Sequence, residues 1–428
     1  MLLFESEKKQ TKQKQQSRHL EFQAIVLAGY GNSLYPLTED NNVPKALLPV
    51  ANKPMLYYVL EWLEKAGIFG ICDKANQLNV YEGKLRPHLE AFKEDMGTAD
   101  VLRLIKERIK CDFIVMSCDL IIDLAPHQFL DFHRSHDPTL SALYYEPHKS
   151  EGSGTGGGSN YKDESPKQIV GVDATQSRLV YVASGADLDE EFSLRMSLLW
   201  KFPRVDIHTT LQDSHLYIFK RWVIDLIAQR KAISSVCEHL VPLLVKCQHQ
   251  KLLLEREGVD KLAATYENFQ KTAIAFSTTC DEDVKSSPVR CQIFTYKTGF
   301  CGRGNTIAKY CDLNRHLTKI SNEVRVSASA EIGPKTQVGS DSLVGDDTKI
   351  ENAYIKRSTV GAHCVIGKNV KISNSIIMDN VTVEDNVKID GCIICCGARI
   401  GDKAQLKDCE VGGGYVAAPE SRCFMTFF

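Results

Sequence analysis

A six-residue repeat in the last third of the chain limits its fold more than any other feature. Apolar residues recur at steps of six from Val326 through Ile350, and the series continues at steps of five or six to Val411. Glycine directly follows many of them, at positions 333, 339, 345, 361, 367, 401 and 412. A second, often small residue stands two positions before many of the repeated apolar residues, as at Ala330, Ser342, Cys364, Ala398 and Ala404. The series is too long for one strand or one helix, so it indicates a repeat architecture.

This spacing is the hexapeptide pattern of a left-handed parallel β-helix, in which each repeated apolar side chain points into a triangular prism. We predict about five coils between residues 324 and 411. Residues 412–428 leave the repeat and end in an apolar cluster around Phe424 and Phe428, so we predict an atypical C-terminal tail there. A solenoid needs its terminal coil covered. The tail is therefore a candidate cap, or else the end of an alternative product.

The preceding residues predict an α/β domain and a connector. Strand-like and helix-like patterns alternate from residue 21 to residue 247, which is typical of a mostly parallel sheet. Residues 55–66 have helical spacing before Gly67, and Phe113–Met116 is a candidate buried strand. Residues 151–167 are Gly- and Ser-rich and predict a flexible insertion, and residues 248–323 predict a connecting segment. A chain of 428 residues suits two or three such domains.

Composition excludes several function classes. The formal net charge of -2 gives no global attraction to nucleic acid or to an anionic membrane. No apolar run approaches the roughly 20 residues that a transmembrane helix needs. Residues 1–20 are basic and Gln-rich without a signal-peptide apolar region, so we predict a disordered tail. Fifteen cysteines without paired spacing fit reduced thiols in the cytosol.

A candidate phosphate-binding loop follows the first predicted strand. The apolar run at residues 24–28 precedes Gly29 and Gly31, where a tight turn after a buried strand needs residues without a Cβ. Such a turn presents backbone N–H groups to nucleotide phosphates. A lone Gly-x-Gly is common, but the sequences PKALLPV at residues 44–50 and NKPM at residues 52–55 make the prediction specific.

Residues 24–55 resemble the N-terminal signature of sugar-phosphate nucleotidyltransferases, L-A-G-G-x-G-T-R-L-x-P-L-T followed by P-K-P-L-x-P-V. Lys45 matches the signature lysine, whereas Ser33 stands where the family has arginine. In that family the two cations neutralise charge as pyrophosphate leaves. Serine cannot supply a permanent bidentate cation, and losing one preorganised charge commonly costs about 3–4 kcal/mol of transition-state stabilisation. We therefore predict a degenerate domain that is not an enzyme.

The same resemblance implies a vestigial nucleotide pocket with one metal ligand. Its cofactor-binding residues are Gly29, Gly31, Lys45, Gly97 and Thr98, and Asp119 matches the metal-binding aspartate at a strand end. Mg²⁺ normally needs a second ligand. The corresponding segment, residues 213–217, keeps an acidic residue and a tyrosine but loses the family's glycine. The alternative is that these residues cap strands and hold loops. The segment between residues 68 and 95 is short and has no buried apolar run where the family places a strand. Either one strand is weak, or a piece of the segment is missing.

Three other groups of residues have simpler interpretations. The acidic cluster Asp187, Asp189, Glu190 and Glu191 is typical of a solvated surface, although a metal site is the alternative. The C-x-x-C spacing of Cys392, Cys395 and Cys396 has no second pair for zinc, so it favours core and ladder roles. His363 would be the general base of a β-helix acyltransferase, but its register favours a surface position.

A nucleotidyltransferase-like domain followed by a β-helix resembles the gamma-subunit family of eukaryotic translation initiation factor 2B. The more specific matching pieces are residues 96–100, 117–121, 186–191, 213–217 and 289–315. The fold class implied is an α/β Rossmann-like nucleotidyltransferase-type domain followed by a left-handed parallel β-helix. The resemblance also implies a cytosolic, non-catalytic subunit of the exchange factor for initiation factor 2, paired chiefly with the epsilon subunit. No cofactor is required, and weak GTP and Mg²⁺ binding is left open. The alternative is an active mannose-1-phosphate guanylyltransferase.

Overall fold

The computed structural model describes residues 21–38, 43–68, 96–147, 168–175, 177–184, 194–266, 288–320 and 325–424. Several predicted features lie outside these residues. They are the basic tail at residues 1–20, the segment at residues 69–95, the insertion at residues 151–167, the acidic cluster at residues 187–191 and the last four residues.

The first part of the chain builds an eight-stranded sheet with helices on both faces. Its strand order is β1-β4-β10-β6-β11-β8-β7-β9. The strands of this part of the chain are β1 (Phe22–Leu27), β2 (Pro49–Val50), β3 (Lys53–Pro54), β4 (Asp112–Ser117), β5 (Leu120–Ile122), β6 (Leu140–Tyr145), β7 (Gln168–Asp173), β8 (Arg178–Ser184), β9 (Val205–His208), β10 (Gln212–Phe219), β11 (Cys291–Tyr296) and β12 (Cys301–Arg303).

Helices cover the sheet and continue into the connector. The described α-helices are α1 (Met55–Lys65), α2 (Thr98–Leu104), α3 (Pro126–His136), α4 (Met196–Lys201), α5 (Val223–Gln229), α6 (Val241–Cys247), α7 (Lys251–Arg256), α8 (Val259–Tyr266) and α9 (Ile307–Ile320). Two of the predicted elements are confirmed. Helix α1 ends just before Gly67, which has a left-handed backbone (φ 68°), and β4 contains the predicted apolar run.

The sheet is mixed rather than mostly parallel. Strands β1 and β4 pair in parallel, and so do β6 and β11. Strand β10 runs antiparallel to both of its neighbours, β4 and β6. Strand β7 lies between β8 and β9 and pairs antiparallel with both. The alternation of strands and helices predicted the parallel pairs, but it missed the antiparallel strands. The connections from β7 to β8 and from β9 to β10 are too short for a helix, so they leave no helical pattern.

Strand β4 shows how the sheet is buried on both faces. Its successive side chains alternate between two cores: Phe113 and Val115 pack with the helices of one face, and Ile114 and Met116 pack with α1 and α3 on the other. A strand covered on both sides therefore reads as a continuous apolar run.

The sheet domain extends beyond the predicted boundary at Cys247. Strand β11 lies between β6 and β8 inside the sheet, and Leu254, Val259 and Ala263 of α7 and α8 pack into the same core as β11. The sequence suggested a connector because these two helices are short and polar on one side. Tertiary packing places them in the domain, and the connector begins after β12.

The C-terminal part is a three-sided parallel β-helix. On one side the inward residues pair in register through six levels, namely Ile332, Ile350, Ile366, Val383, Ile400 and Ala417. The strands of this region are Glu331–Ile332, Gln337–Val338, Leu343–Val344, Lys349–Lys356, Thr359–Val360, Val365–Ser373, Ile376–Ile377, Thr382–Val383, Lys388–Asp390, Ile393–Ile394, Arg399–Ile400, Gln405–Lys407, Glu410–Val411, Val416–Ala417 and Arg422–Phe424. The predicted apolar positions form its interior.

The predicted end of the β-helix was wrong. Five levels lie within residues 324–411, as predicted, but the β-helix continues past Val411 with a sixth, because Val416–Ala417 and Arg422–Phe424 pair with the coil before them. Residues 412–424 are therefore largely the sixth coil rather than a separate tail. The sequence concealed this coil because its inward positions hold the small residue Ala417 and the sulfur-containing Cys423 in place of valine or isoleucine.

The small residues of the repeat form a polar ladder inside the prism. The backbone N–H of Ser375 donates to the Ser358 hydroxyl (3.2 Å), and that of Cys392 donates to the Ser375 hydroxyl (3.2 Å). The N–H of Cys409 continues the series onto Cys392 Sγ (3.5 Å). These side chains satisfy backbone donors that the corners of the coils leave without a strand partner. Among the described residues, no helix is long and apolar enough to cross a membrane.

Candidate functional site

The candidate phosphate loop connects β1 to a short 3₁₀ turn at residues 32–34. Gly31 has φ 83°, and a Cβ there would lie 3.0 Å from Thr38 Cγ2 and 3.1 Å from Lys45 Cβ. The loop therefore needs glycine at this position for both backbone conformation and space. Gly29 is exposed with open space around it, and Ser33 is also exposed. The loop keeps its tight shape, and no cation stands at position 33.

Lys45 lies in a buried charge cluster, which consists of Lys45, Asp119, Arg303 and Asn305. Lys45 Nζ is 2.7 Å from Asp119 Oδ2 and donates to Asn305 Oδ1 at 2.7 Å. The Arg303 guanidinium donates to both oxygens of Asp119, with Nε 3.3 Å from Oδ1 and a terminal nitrogen 3.4 Å from Oδ2. The side chain of Asp119 is fully buried, that of Lys45 is 6% exposed and that of Arg303 is 14% exposed.

Backbone contacts fix the position of this cluster. Asp119 follows β4, and its carbonyl accepts the N–H of Gly304 at 3.0 Å. Arg303 ends β12, which pairs antiparallel with β5 so that Arg303 lies opposite Leu120. The small strand pair β5–β12 thus brings the connector against the strand end that carries Asp119.

The charges of the cluster keep Asp119 ionised. Burial alone would raise the pKa of its carboxyl, but the charges of Arg303 and Lys45 and hydrogen bonds from Lys45 and Ser117 outweigh it and hold the pKa well below its usual range. The pKa of Arg303 is raised, because Asp119 and Asp213 overcome its own desolvation. Burial, followed by the charge of Asp119, raises the pKa of the Cys118 thiol to about 12, so that thiol stays protonated.

Asp119, the predicted metal ligand, therefore has cations at both of its oxygens. A hydrated Mg²⁺ prefers carboxylate oxygens that are open to water and phosphate, and in this structure Lys45 and Arg303 hold those oxygens instead. The arrangement satisfies the buried carboxylate without a metal. As they are arranged, these donors do not fit Mg²⁺.

Gly97 and Thr98 hold a loop of the sheet domain. A Cβ on Gly97 would collide with the carbonyl oxygen of Ser234. That oxygen accepts the N–H of Ala99 at 2.8 Å, and the Thr98 hydroxyl accepts the N–H of Val236 at 2.9 Å. In the described part of the chain, no hydrogen bond or ion pair joins Gly97 or Thr98 to the buried charge cluster. This geometry matches the alternative that they hold loops.

Asp213 lies where the pairing of β10 with β6 is irregular, and His215 lies in the same irregular stretch of β10. The strand register shifts between Asp213 and Tyr217, and His215 has φ 54°. The Asp213 carboxylate accepts the N–H of His215 (2.8 Å), the Tyr217 hydroxyl and the Cys237 thiol (3.5 Å). Asp213 is 6% exposed. None of these three contacts joins Asp213 to Asp119, the first candidate metal ligand.

The remaining sequence candidates have structural positions. His363 lies at a turn of the β-helix with φ 55° and a 60% exposed side chain, 3.7 Å from Asp347, which is the surface position that its register predicts. Cys392 belongs to the polar ladder. Cys395 is buried between the β-helix and the connector, where Cys396 packs partly buried. No disulfide joins these cysteines.

The phosphate-loop region and the β-helix share one apolar core through α9. This core combines Leu34, Leu37 and Leu48 with Tyr310 and Leu313 of α9 and with residues of the β-helix, namely Ile376, Met378, Ile393 and Cys395. The Tyr310 hydroxyl donates to the Pro49 carbonyl (2.5 Å), Asn314 Oδ1 accepts the N–H of Ala51 (3.0 Å), and Asn52 donates to the Val360 carbonyl (2.9 Å). The segment that resembles the nucleotide signature thus packs and hydrogen-bonds against both the connector and the β-helix, as a docking platform.

Sequence reasoning missed Arg303 and Asn305 as site residues. The segment at residues 289–315 carries part of the resemblance, but the sequence indicates no partner for its positive charge. The available signal was a cation at position 303 together with the missing cation at position 33. Nothing local indicates that Arg303 faces Asp119, since the two are 184 residues apart.

Comparison with known proteins supports both halves of the architecture. A family model for nucleotidyl transferases matches residues 23–156, and a model for the left-handed β-helix domain of the eIF2B epsilon subunit matches residues 315–420. Mannose-1-phosphate guanyltransferase of Candida albicans is 33% identical over 125 residues, which cover 26% of this chain and 34% of that protein. That similarity is limited to part of the chain.

Relatives of comparable length cover nearly the whole chain. Translation initiation factor eIF2B subunit gamma of Schizosaccharomyces pombe is 41% identical over 412 residues, which cover 93% of this chain and 87% of that protein. The subunit of the same name in Dictyostelium discoideum is 31% identical, covering 81% of this chain and 83% of that protein. With an N-terminal nucleotidyltransferase domain and a C-terminal left-handed β-helix, the chain belongs to the gamma-subunit family of translation initiation factor eIF2B.

Proposed function

We propose that this chain is a non-catalytic subunit of the eIF2B complex in the cytosol, where it supports the epsilon subunit in nucleotide exchange on initiation factor 2. Family membership supports the place in the complex. The observation that supports the absence of nucleotidyl transfer is the buried charge cluster, because Lys45 and Arg303 occupy the carboxylate that would hold a metal.

The phosphate loop and the metal-binding position both differ from those of an active nucleotidyl-transfer site. The loop carries Ser33 in place of a cation, so the phosphates lose an electrostatic partner. Asp119 is neutralised from within the protein, so a triphosphate with Mg²⁺ would have to displace two buried cations. Breaking such buried pairs is costly, since it leaves charges without partners. The cofactor requirement is therefore none, and any binding of GTP is weak.

The platform function explains why the former nucleotide segment keeps its shape. Within residues 48–52, the Pro49 carbonyl accepts the Tyr310 hydroxyl of α9 and the N–H of Ala51 donates to Asn314 of α9. Leu48 and Val50 pack in the core that includes the β-helix. The segment therefore contributes to the relative placement of the two halves, and both halves offer surfaces for assembly with other subunits.

Complex membership is tested by affinity purification of the tagged full chain from eukaryotic cells. We expect the epsilon subunit and the other eIF2B subunits in stoichiometric amounts, and a tagged protein of unrelated sequence is the control. A chain recovered alone would overturn the proposal.

The non-catalytic role is tested with a variant that converts the ion cluster to apolar residues, Lys45→Met, Asp119→Leu and Arg303→Met together. Replacing a whole buried ion cluster by apolar residues of similar volume is often neutral for stability. We expect complexes that contain this variant to assemble and to exchange GDP at the wild-type rate. A large loss of exchange activity in an intact complex would show that the site takes part in the reaction.

The alternative of a guanylyltransferase is tested on the purified wild-type chain. With GTP, mannose 1-phosphate and Mg²⁺, we expect no pyrophosphate release, and an active guanylyltransferase is the positive control. Titration with GTP is expected to give the same weak or undetectable signal with and without Mg²⁺. Pyrophosphate release that disappears in Lys45→Met would contradict the proposal.

A further inference from the structure

A cluster of three different potential metal ligands lies beside the charge cluster. One carboxylate oxygen of Asp213, one ring nitrogen of His215 and the sulfur of Cys237 all lie within 4.8 Å of one another. Asp213 is buried, and the other two residues are half-buried. The group combines oxygen, nitrogen and sulfur donors, a set that suits transition metals and not Mg²⁺.

The backbone holds the three side chains in place from two elements. The register shift in β10 lets His215 adopt φ 54°, while its own N–H is bound by Asp213 at 2.8 Å. Cys237 lies on the helical turn at residues 236–240, which Thr98 fixes through the N–H of Val236. A β-sheet irregularity and a non-glycine residue in the left-handed region are costly features that often accompany functional sites.

We propose that Asp213, His215 and Cys237 form a binding site for a divalent transition metal of the Zn²⁺ class. The Cys237 sulfur lies 3.5 Å from Asp213 Oδ2. Bonds of about 2.3 Å from zinc to sulfur and about 2.0 Å from zinc to oxygen, at a tetrahedral angle, separate the two donors by about 3.5 Å. The metal would take the place of the thiol proton between these atoms.

The protonation states and nearby charges set the conditions for binding. Burial, followed by the charge of Arg303, lowers the pKa of His215 to about 4, so the ring is neutral and able to ligate at pH 7. Burial and the charge of Asp213 raise the pKa of the Cys237 thiol well above its usual range. Binding therefore releases one proton from Cys237.

Charge also limits the affinity. The positive charges of Arg303 and Lys45 act on His215 and oppose a further cation, whereas the Asp213 carboxylate and the Cys237 thiolate together supply two negative charges. The ligand set is thus balanced for a dication, with the fourth position left to water or another small ligand.

The test uses Co²⁺ as a spectroscopic substitute for Zn²⁺ on the metal-stripped full chain. We expect one equivalent of Co²⁺ to produce a sulfur-to-cobalt charge-transfer band and one equivalent of Zn²⁺ to remove it. Cys237→Ser should abolish the band, and His215→Gln should weaken Co²⁺ binding at least tenfold. Cys111→Ser, which removes a half-buried thiol on another part of the sheet domain, is the matched control and should keep the band.

A second measurement does not depend on the folding of any variant. The alkylation rate of Cys237 in the wild-type chain, followed by mass spectrometry, should fall when Zn²⁺ is added, while that of Cys111 should not change. No charge-transfer band, a band that persists in Cys237→Ser, or an unchanged alkylation rate at Cys237 would each overturn the proposal. A role of this chain in eIF2B is unaffected by that outcome.

Discussion

The β-helix and the buried charge cluster are stabilised over very different distances along the chain. In the β-helix, Ile366 pairs with Val383 and Val383 with Ile400, so neighbouring coils are 17 residues apart in sequence. In the cluster, Lys45 bonds to Asn305, 260 residues away. The β-helix repeats one pairing between neighbouring coils, whereas the charge cluster depends on segments that meet only in the complete fold.

This difference predicts how each region responds to substitution. In a solenoid the interactions are between nearest neighbours, so a defect weakens adjacent coils. In the cluster a single defect leaves buried charges without partners and weakens every segment that meets there. The following experiments test that contrast, in order of decreasing effect.

Asp119→Asn should have the largest effect. It leaves the buried cations Lys45 and Arg303 without their shared carboxylate, and breaking such a site costs about 3–5 kcal/mol in the free energy of unfolding. Chemical denaturation measures the loss. The control Asp131→Asn removes an ion pair with Arg134 at a site that is 64% exposed, which is worth about 0–1 kcal/mol. Equal effects of the two substitutions would contradict the role of the cluster.

Ile372→Ala should cost about 3 kcal/mol, because it creates a cavity in the prism where Ile372 is fully buried. Hydrogen exchange should show faster exchange in the flanking coils around Ile355 and Ile389 and little change in the sheet domain. Val365→Ala, on the same strand but 46% exposed, is the control. Exchange that increases equally in both domains would refute the nearest-neighbour description.

Acidification should destabilise the sheet domain before the β-helix. His133 is 2% exposed, and burial, followed by the charge of Lys220, lowers its pKa to about 4. A histidine with a depressed folded pKa contributes stability above its unfolded pKa of about 6.5 and loses it as the pH falls toward 4. The loss is on the order of 3 kcal/mol. The pKa of His249 is lowered in the same direction, so it adds to the loss.

The measurement is the melting temperature as a function of pH. His133→Asn keeps a polar group near the Ser141 hydroxyl, which lies 2.9 Å from Nδ1, and should flatten the decline between pH 6.5 and 4. The exposed His127→Asn should leave the decline as it is. A wild-type slope retained in His133→Asn would exclude His133 as its source.

Ser375→Ala should have the smallest effect of the four, about 1 kcal/mol, because it removes one buried hydroxyl from the polar ladder. The N–H of Cys392 then loses its partner, and the expected sign is destabilising. Ser340→Ala, at an exposed serine that bonds only to its neighbour Asp341 in the described structure, should be neutral in the same denaturation assay. A neutral Ser375→Ala would contradict a stabilising role of the ladder.

The sequence predicted the locally repeated contacts of the β-helix better than the contacts between distant segments of the sheet domain. The inward residues of the β-helix and the ladder role of Cys392 were predicted correctly, because each appears several times in one pattern. The sixth coil escaped because Ala417 and Cys423 break the apolar rule. The sheet boundary at Cys247 was misplaced because β11 is separated from its partners β6 and β8 by more than 100 residues.

The sequence by itself determined the two-part architecture, the family and the absence of a loop cation at Ser33, since repeats and signatures are written in neighbouring residues. Only the tertiary structure decided what surrounds Asp119. A single arginine in a connector carries no local sign of its partner, and the β5–β12 pair brings Arg303 against the carboxylate. Buried electrostatics depend on distance in space, so the chemistry of this site is set by the fold.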